Sequence, residues 1–201
     1  MAVNYKVLSV VVIQRMSTEG QQKFLLNSLC TALAILVMHI NEQWKDFVQD
    51  LSEKLSESVD HATCLLLVLK YMASDCDNDS IVIEDSIRNN FFNFLDNIAP
   101  QVFSQIFNQW AQKLLVGGLG LVVRSSAGQA PPESLDTLKM QRLRSKLVDA
   151  FYNWIKIKLP DRVFQGLTSS YSDLLNLVFA ELENNQDENM ENATNCVIQL
   201  I

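Results

Sequence analysis

The chain has 201 residues, 48% hydrophobic and 19% charged, with a formal net charge of −7 at pH 7. That composition is apolar enough to bury a core, which excludes disorder throughout. The acidic excess argues against the phosphate backbone of nucleic acid as the main ligand, and it suits either a basic partner or plain solubility.

Only 6 glycines and 4 prolines punctuate the chain, so long segments run without breakers, which favours helix over a many-stranded sheet. The opening MAVNYKVLSVVVIQR places one lysine before a short apolar run but carries no small-residue cleavage pattern, which argues against secretion. Cys30, Cys64, Cys76 and Cys196 form no CxxC pair and stand beside no histidine cluster. Reduced, intracellular thiols are the expectation.

Residues 24–40 (FLLNSLCTALAILVMHI) are densely apolar. At 17 residues the run is at the short limit for a membrane span, and it contains Asn27, Ser28, Thr31 and His39. Its apolar residues go nearly all round a helix, which predicts an inner helix sandwiched between others. After the link 40–43 comes a different pattern. Trp44, Phe47, Val48, Leu51 and Leu55 form one stripe at helical spacing, and the remainder is polar. A buried helix joined this tightly to an amphipathic one implies an antiparallel hairpin.

The plan recurs along the chain. Residues 62–71 (ATCLLLVLKY) predict a second apolar helix, followed by a long amphipathic run over 86–115. Residues 143–158 open a third unit, completed by 169–182, and 192–201 begin a fourth. First helices therefore start near 24, 62, 143 and 191, with separations of about 38 and 48 residues either side of a longer middle one. Those separations lie near the period of HEAT and armadillo-type repeats. The expected fold is all-α, an α-solenoid of HEAT-type antiparallel helix hairpins whose neighbours supply one another's core. Helical repeats are expected over 1–114 and 137–201, separated by a Gly/Pro-containing loop at 115–136.

Two stretches imitate sites. The loop holding Gly117, Gly118 and Gly120 lacks the Lys-Ser/Thr of a phosphate cradle. Asp75, Asp77 and Asp79 could head a calcium loop, but Ser80 stands where glycine is needed and Ser86 where a bidentate glutamate is needed. His39 and His61 fit no metal-ligand spacing, and no nucleophile elbow occurs. The sequence thus predicts no catalytic residue, no cofactor and no metal. Asn192-Ala193-Thr194 is formally a glycosylation acceptor, relevant only to a secreted chain.

One surface pattern suggests a partner. Asp46, Asp50, Glu53 and Glu57 recur at i, i+4, i+7 and i+11, opposite the apolar stripe of the second helix. They would align four carboxylates on one exposed face. Such a face is either an ordinary solvated surface or an acidic strip for a basic ligand, since second helices of these repeats can line a concave surface.

Several segments, taken in order, resemble a known family. FLLNSLCTALAILVMHINEQWKDFVQDL, LLLVLKYMASDC, IEDSIRNNFFNFLDNIAPQVFSQI, LVDAFYNWIKI and ENATNCVIQLI are similar to successive repeats near the N-terminus of the importin-β superfamily. Within it they resemble the transportin-SR and importin-thirteen branch. Met72-Ala73-Ser74-Asp75 departs from that branch's Leu-Pro-Glu-Glu, as does the insert at 115–136. The resemblance implies a nuclear transport receptor of nucleus and cytoplasm that binds protein cargo, Ran in its GTP-bound form and nucleoporins. It implies neither catalysis, direct nucleic-acid contact nor membrane insertion. Family receptors are several times longer, so the resemblance also implies an N-terminal-region fragment, prone to self-association through the uncapped apolar face of CVIQLI. The alternative is a HEAT-repeat scaffold or adaptor with no dependence on Ran.

Overall fold

A computed structural model of the chain describes residues 23–44, 46–55, 58–76, 83–116, 135–157, 172–183 and 187–200. Those residues are helical apart from short turns, and no strand occurs among them. In chain order the helices are α1 (Lys23–Ile40), α2 (Phe47–Leu55), α3 (Val59–Cys76), α4 (Asp85–Gln101, continued below), α5 (Leu135–Lys156), α6 (Ser172–Glu183) and α7 (Asp187–Leu200). The chain divides into two compact units, Met1–Ile98 and Ala99–Ile201.

In the first unit the centre is α3. Its residues Cys64, Leu65, Leu66, Leu67, Val68 and Leu69 are all buried. Six successive buried residues exceed one 3.6-residue turn, so α3 has no solvent face along that length. Both α1 and α2 pack against it. Ser58 begins the helix, its Oγ accepting from the backbone N–H of His61 at 3.1 Å, which satisfies one of the unpaired donors of the first turn. Asp60 complements the positive end of the helix dipole.

The expectation for α1 needs correction. It buries one stripe, Cys30, Leu33, Ala34, Val37 and Met38, whereas Phe24 and Leu25 at its start are 75% and 42% exposed. The sandwiched helix is α3; α1 flanks it. By length and composition alone, residues Phe24–Gln43, with mean hydropathy 1.7, could cross a membrane. Here the helix instead lays its buried stripe along α3, and the Cys30 Sγ lies 3.8 Å from the Cys64 carbonyl oxygen.

The link between α1 and α2 is a 310 turn, Asn41–Gln43. Asn41 is buried, and its Nδ2 donates to the Met38 carbonyl at 2.7 Å, occupying a carbonyl that the end of α1 leaves unpaired. Trp44 lies before α2 and is fully buried, so α2 starts three residues later than the apolar stripe suggests. The Trp44 ring meets Phe47 edge to face at 5.0 Å, and Phe47 meets Phe94 of α4 at 6.2 Å.

In α4 the helix runs through Pro100. Proline has no N–H to give to the carbonyl four residues back. Directly afterwards the winding widens to a π-helix over Val102–Asn108, then returns to α over 109–116. In the second unit this π segment presents Phe103 and Phe107 to Phe151 and Trp154 of α5, with ring centroids 5.8–6.3 Å apart, all near-perpendicular. Such aromatic pairs add about 0.5–1.5 kcal/mol beyond the area they bury. Helix α7 packs on α5 and α6, and its Cys196 Sγ sits 3.9 Å from the Val148 carbonyl oxygen. Arg144 of α5 pairs with the buried Glu181 of α6.

Replacing Phe107 with alanine removes one of four mutually packed rings from a fully buried position. We expect a loss of about 3–5 kcal/mol, read as a lower urea midpoint with an unchanged slope. A loss below about 1 kcal/mol would mean that the ring cluster does not organise the second unit.

Candidate functional surface

The four carboxylates at 46, 50, 53 and 57 have different surroundings. Asp46 is exposed in the turn ahead of α2, where its carbonyl accepts the backbone N–H of Asp50 at 2.8 Å. Asp50 is half-buried, and its Oδ2 accepts from the Trp44 indole Nε1 at 2.6 Å. Glu53 is exposed and accepts from Gln49 Nε2 at 2.8 Å. Glu57 lies outside the described residues.

Asp50 thus has a structural task. It holds the only donor on the indole ring of a fully buried tryptophan, and a carboxylate acceptor makes that bond charge-assisted. The signal was present in the sequence, since a tryptophan just ahead of a helix can reach a first-turn acid. Periodicity alone did not distinguish a free carboxylate from an occupied one. Asp46 and Glu53 remain as exposed acids near α2.

The other polar groups singled out by sequence are dispersed. His39 is exposed, its Nδ1 2.8 Å from the Ile35 carbonyl oxygen, and His61 stands on α3 with both ring nitrogens buried and without a hydrogen-bond partner in the structure. No group of three or more His, Cys, Asp or Glu able to hold a metal occurs among the described residues. Of the calcium-like loop, Asp75 is described and Asp77, Asp79 and Ser80 lie outside the described residues. Asp75 belongs to α3 and is 9% exposed; burial raises its pKa, partly offset by the Ser74 hydroxyl, which donates to Oδ1 at 3.3 Å. The glycine-rich stretch 117–134 also lies outside the described residues.

Two of the thiols, Cys30 and Cys196, are inert in their folded surroundings. The Cys30 pKa is raised by its side-chain hydrogen bond with Cys64 and by burial. Burial, and then the charge of Asp149, push Cys196 up to about 12. Both remain thiols at neutral pH, unsuited to nucleophilic work.

Two substitutions separate these roles. Asp50→Ala leaves the buried indole N–H unsatisfied and should cost about 1–3 kcal/mol, whereas Glu53→Ala should stay within about 0.5 kcal/mol; equal costs in urea titrations would refute the assigned difference. For Asp75, a folded pKa raised above the ordinary 3.8 means that the folded state binds more protons between those two values. Its contribution to stability is therefore largest below 3.8 and is lost as pH rises through the folded value. Asp75→Asn should stabilise the chain at pH 7, with the advantage vanishing in acid; a destabilised variant at pH 7 would reverse that account.

Residues 22–197 match the family described as Exportin 1-like protein. Comparison with curated proteins and with solved structures gives no match. The family is one of HEAT-type helical solenoids, the fold class expected from the spacing of the apolar helices. Its members are karyopherin-type nuclear transport receptors of the importin-β and exportin superfamily, which bind protein cargo and GTP-bound Ran, shuttle between nucleus and cytoplasm, and are not enzymes. With the match running through every described helix, the chain belongs to the Exportin 1-like protein family.

Proposed function

We propose that this chain is a cargo-binding and Ran-binding segment of a nuclear transport receptor, closest in kind to the transportin-SR and importin-thirteen branch. The observation that carries the reading is the family match over 22–197, on a chain built, within each unit, from helices packed on helices. It acts by binding, without catalysis. Recognition depends on surfaces presented by stacked helices, and GTP-bound Ran competes or cooperates with cargo for the chain. Its working compartments are the nucleus and cytoplasm.

The cargo face in this reading includes the acids beside α2. Asp46 and Glu53 offer exposed carboxylates, with Glu57 as the next in register; Asp50 is already engaged with Trp44. A basic protein segment is the complementary ligand, with exposed pairs each contributing only about 0–1 kcal/mol and weakening with salt.

Capture of Ran by the immobilised chain tests the first part. Selective retention of GTP-loaded over GDP-loaded Ran is the expected result. Equal retention would reject Ran dependence and favour a HEAT-repeat scaffold. For the acids, the triple variant Asp46→Asn, Glu53→Gln, Glu57→Gln should weaken a basic cargo segment about tenfold at low salt. An unchanged affinity would remove the strip from the binding face.

A further inference from the structure

A cavity of about 170 Å3 opens where the end of α1 and the 310 turn face the start of α4. It is too small for a drug-sized ligand, whose pockets hold about 300–1,000 Å3, but it has room for the end of one side chain. Its apolar surface comes from Met38, which is 1% exposed, and from half-buried Ile87. Its polar surface includes several acceptors. Glu42 is exposed and supplies a carboxylate, and Asn41, Gln43 and Asn90 supply amides.

Two of these groups have a defined orientation. Asn41 is only 7% exposed, and its Nδ2 is spent on the Met38 carbonyl. What it has left to offer is its Oδ1, an acceptor. His39 also lines the cavity, and its Nδ1 lies 2.8 Å from the Ile35 carbonyl oxygen. A carbonyl only accepts, so Nδ1 is the donor of that bond. A buried amide oxygen and a carboxylate thus stand beside one small apolar floor.

We infer that this notch receives an arginine side chain from a partner protein, with its methylenes on Met38 and Ile87 and its guanidinium among Glu42, Asn41 Oδ1 and the neighbouring amide oxygens. Arginine fits better than lysine for a geometric reason. Guanidinium is planar, weakly hydrated and carries five donors in a fixed fork, so it can serve several acceptors placed around a rim. An ammonium is a compact, strongly hydrated point charge that would leave most of them unserved. An anion is disfavoured by Glu42 and by the formal net charge of −7. The inference deepens the proposed function, since it names a chemical feature of the partner, but its site is separate from the carboxylates of α2.

The test is a titration of the isotope-labelled full chain with N-acetyl-arginine amide, followed by backbone amide shifts. N-acetyl-citrulline amide, a neutral isostere, and N-acetyl-lysine amide serve as controls at matched ionic strength. Saturable shifts confined to residues 38–43 and 87–90 are expected, with citrulline and lysine each about tenfold weaker. Glu42→Gln, a change at an exposed position, should remove the preference for arginine over citrulline, and its spectrum elsewhere reports that the fold is kept. Equal affinity for arginine and citrulline, equal affinity for lysine, or shifts mapping instead to Asp46 and Glu53 would each overturn the assignment. Arginine binding without discrimination between the nucleotide states of Ran would overturn the Ran reading and leave the notch. The reverse outcome would remove the notch alone.

Discussion

The constraint on which the first unit depends is that α3 cannot be exposed. A run of six successive buried residues, Cys64 to Leu69, leaves no face that water could occupy, so α1 and α2 must pack on it. Leu and Val side chains each stabilise the fold by about 1.5–3 kcal/mol when fully buried, and a nine-residue helix such as α2 could not persist in water by itself. Helix α2 is thus held by tertiary contacts: Phe47, Val48, Leu51 and Leu55 on its buried stripe, and Trp44 tied to Asp50 at its start. The same dependence recurs in the second unit, where the π segment of α4, α5, α6 and α7 share a core and Phe151 and Trp154 receive the rings of Phe103 and Phe107. A helical repeat is stable only as a neighbour of other repeats.

Much of this was legible from periodicity. The α2 stripe emerges where the 3 and 4 spacing placed it, and the long amphipathic run expected over 86–115 is the helical stretch 85–116. Within each unit, contacts also fall at the spacing seen in the sequence. Val148 and Cys196 touch across a separation of 48 residues, matching the interval between the expected third and fourth helix starts, and Cys30 and Cys64 touch across 34, near the first interval. Contacts of this kind follow from sequence because equivalent apolar positions in adjacent repeats face a shared interface.

Other features were less legible, for identifiable reasons. Apolar content cannot show which of two apolar helices is enclosed, because enclosure depends on neighbours; α1 and α3 look alike in sequence, yet only α3 is wrapped. The starts of α3, α5 and α7 were placed late because polar first turns carry little apolar signal. Ser58 was available as an N-cap for α3, and Asp187 begins α7 within what reads as an Asn-rich tail. The π segment could not be read from periodicity, although Pro100 marked where the winding would have to change. As for the candidate surface, regular spacing identified four carboxylates but carried no information on their hydrogen bonds. The cavity beside Asn41 brings together residues about fifty positions apart, which no local pattern reveals.

The thiols have a consequence of a different kind. With Cys30 and Cys64 enclosed between α1 and α3, and Cys196 enclosed between α7 and α5, an alkylating reagent can reach them only when those helices separate. The raised pKa values mean that Cys30 and Cys196 contribute almost no thiolate in the folded state. Each of these three buried cysteines is therefore a built-in clock for its own unit. The rate at which Cys30 and Cys64 are capped dates the opening of the first, and the rate for Cys196 dates the opening of the second. A receptor that tightens around a partner would slow one clock or both, giving a record of which unit the partner holds without any added label.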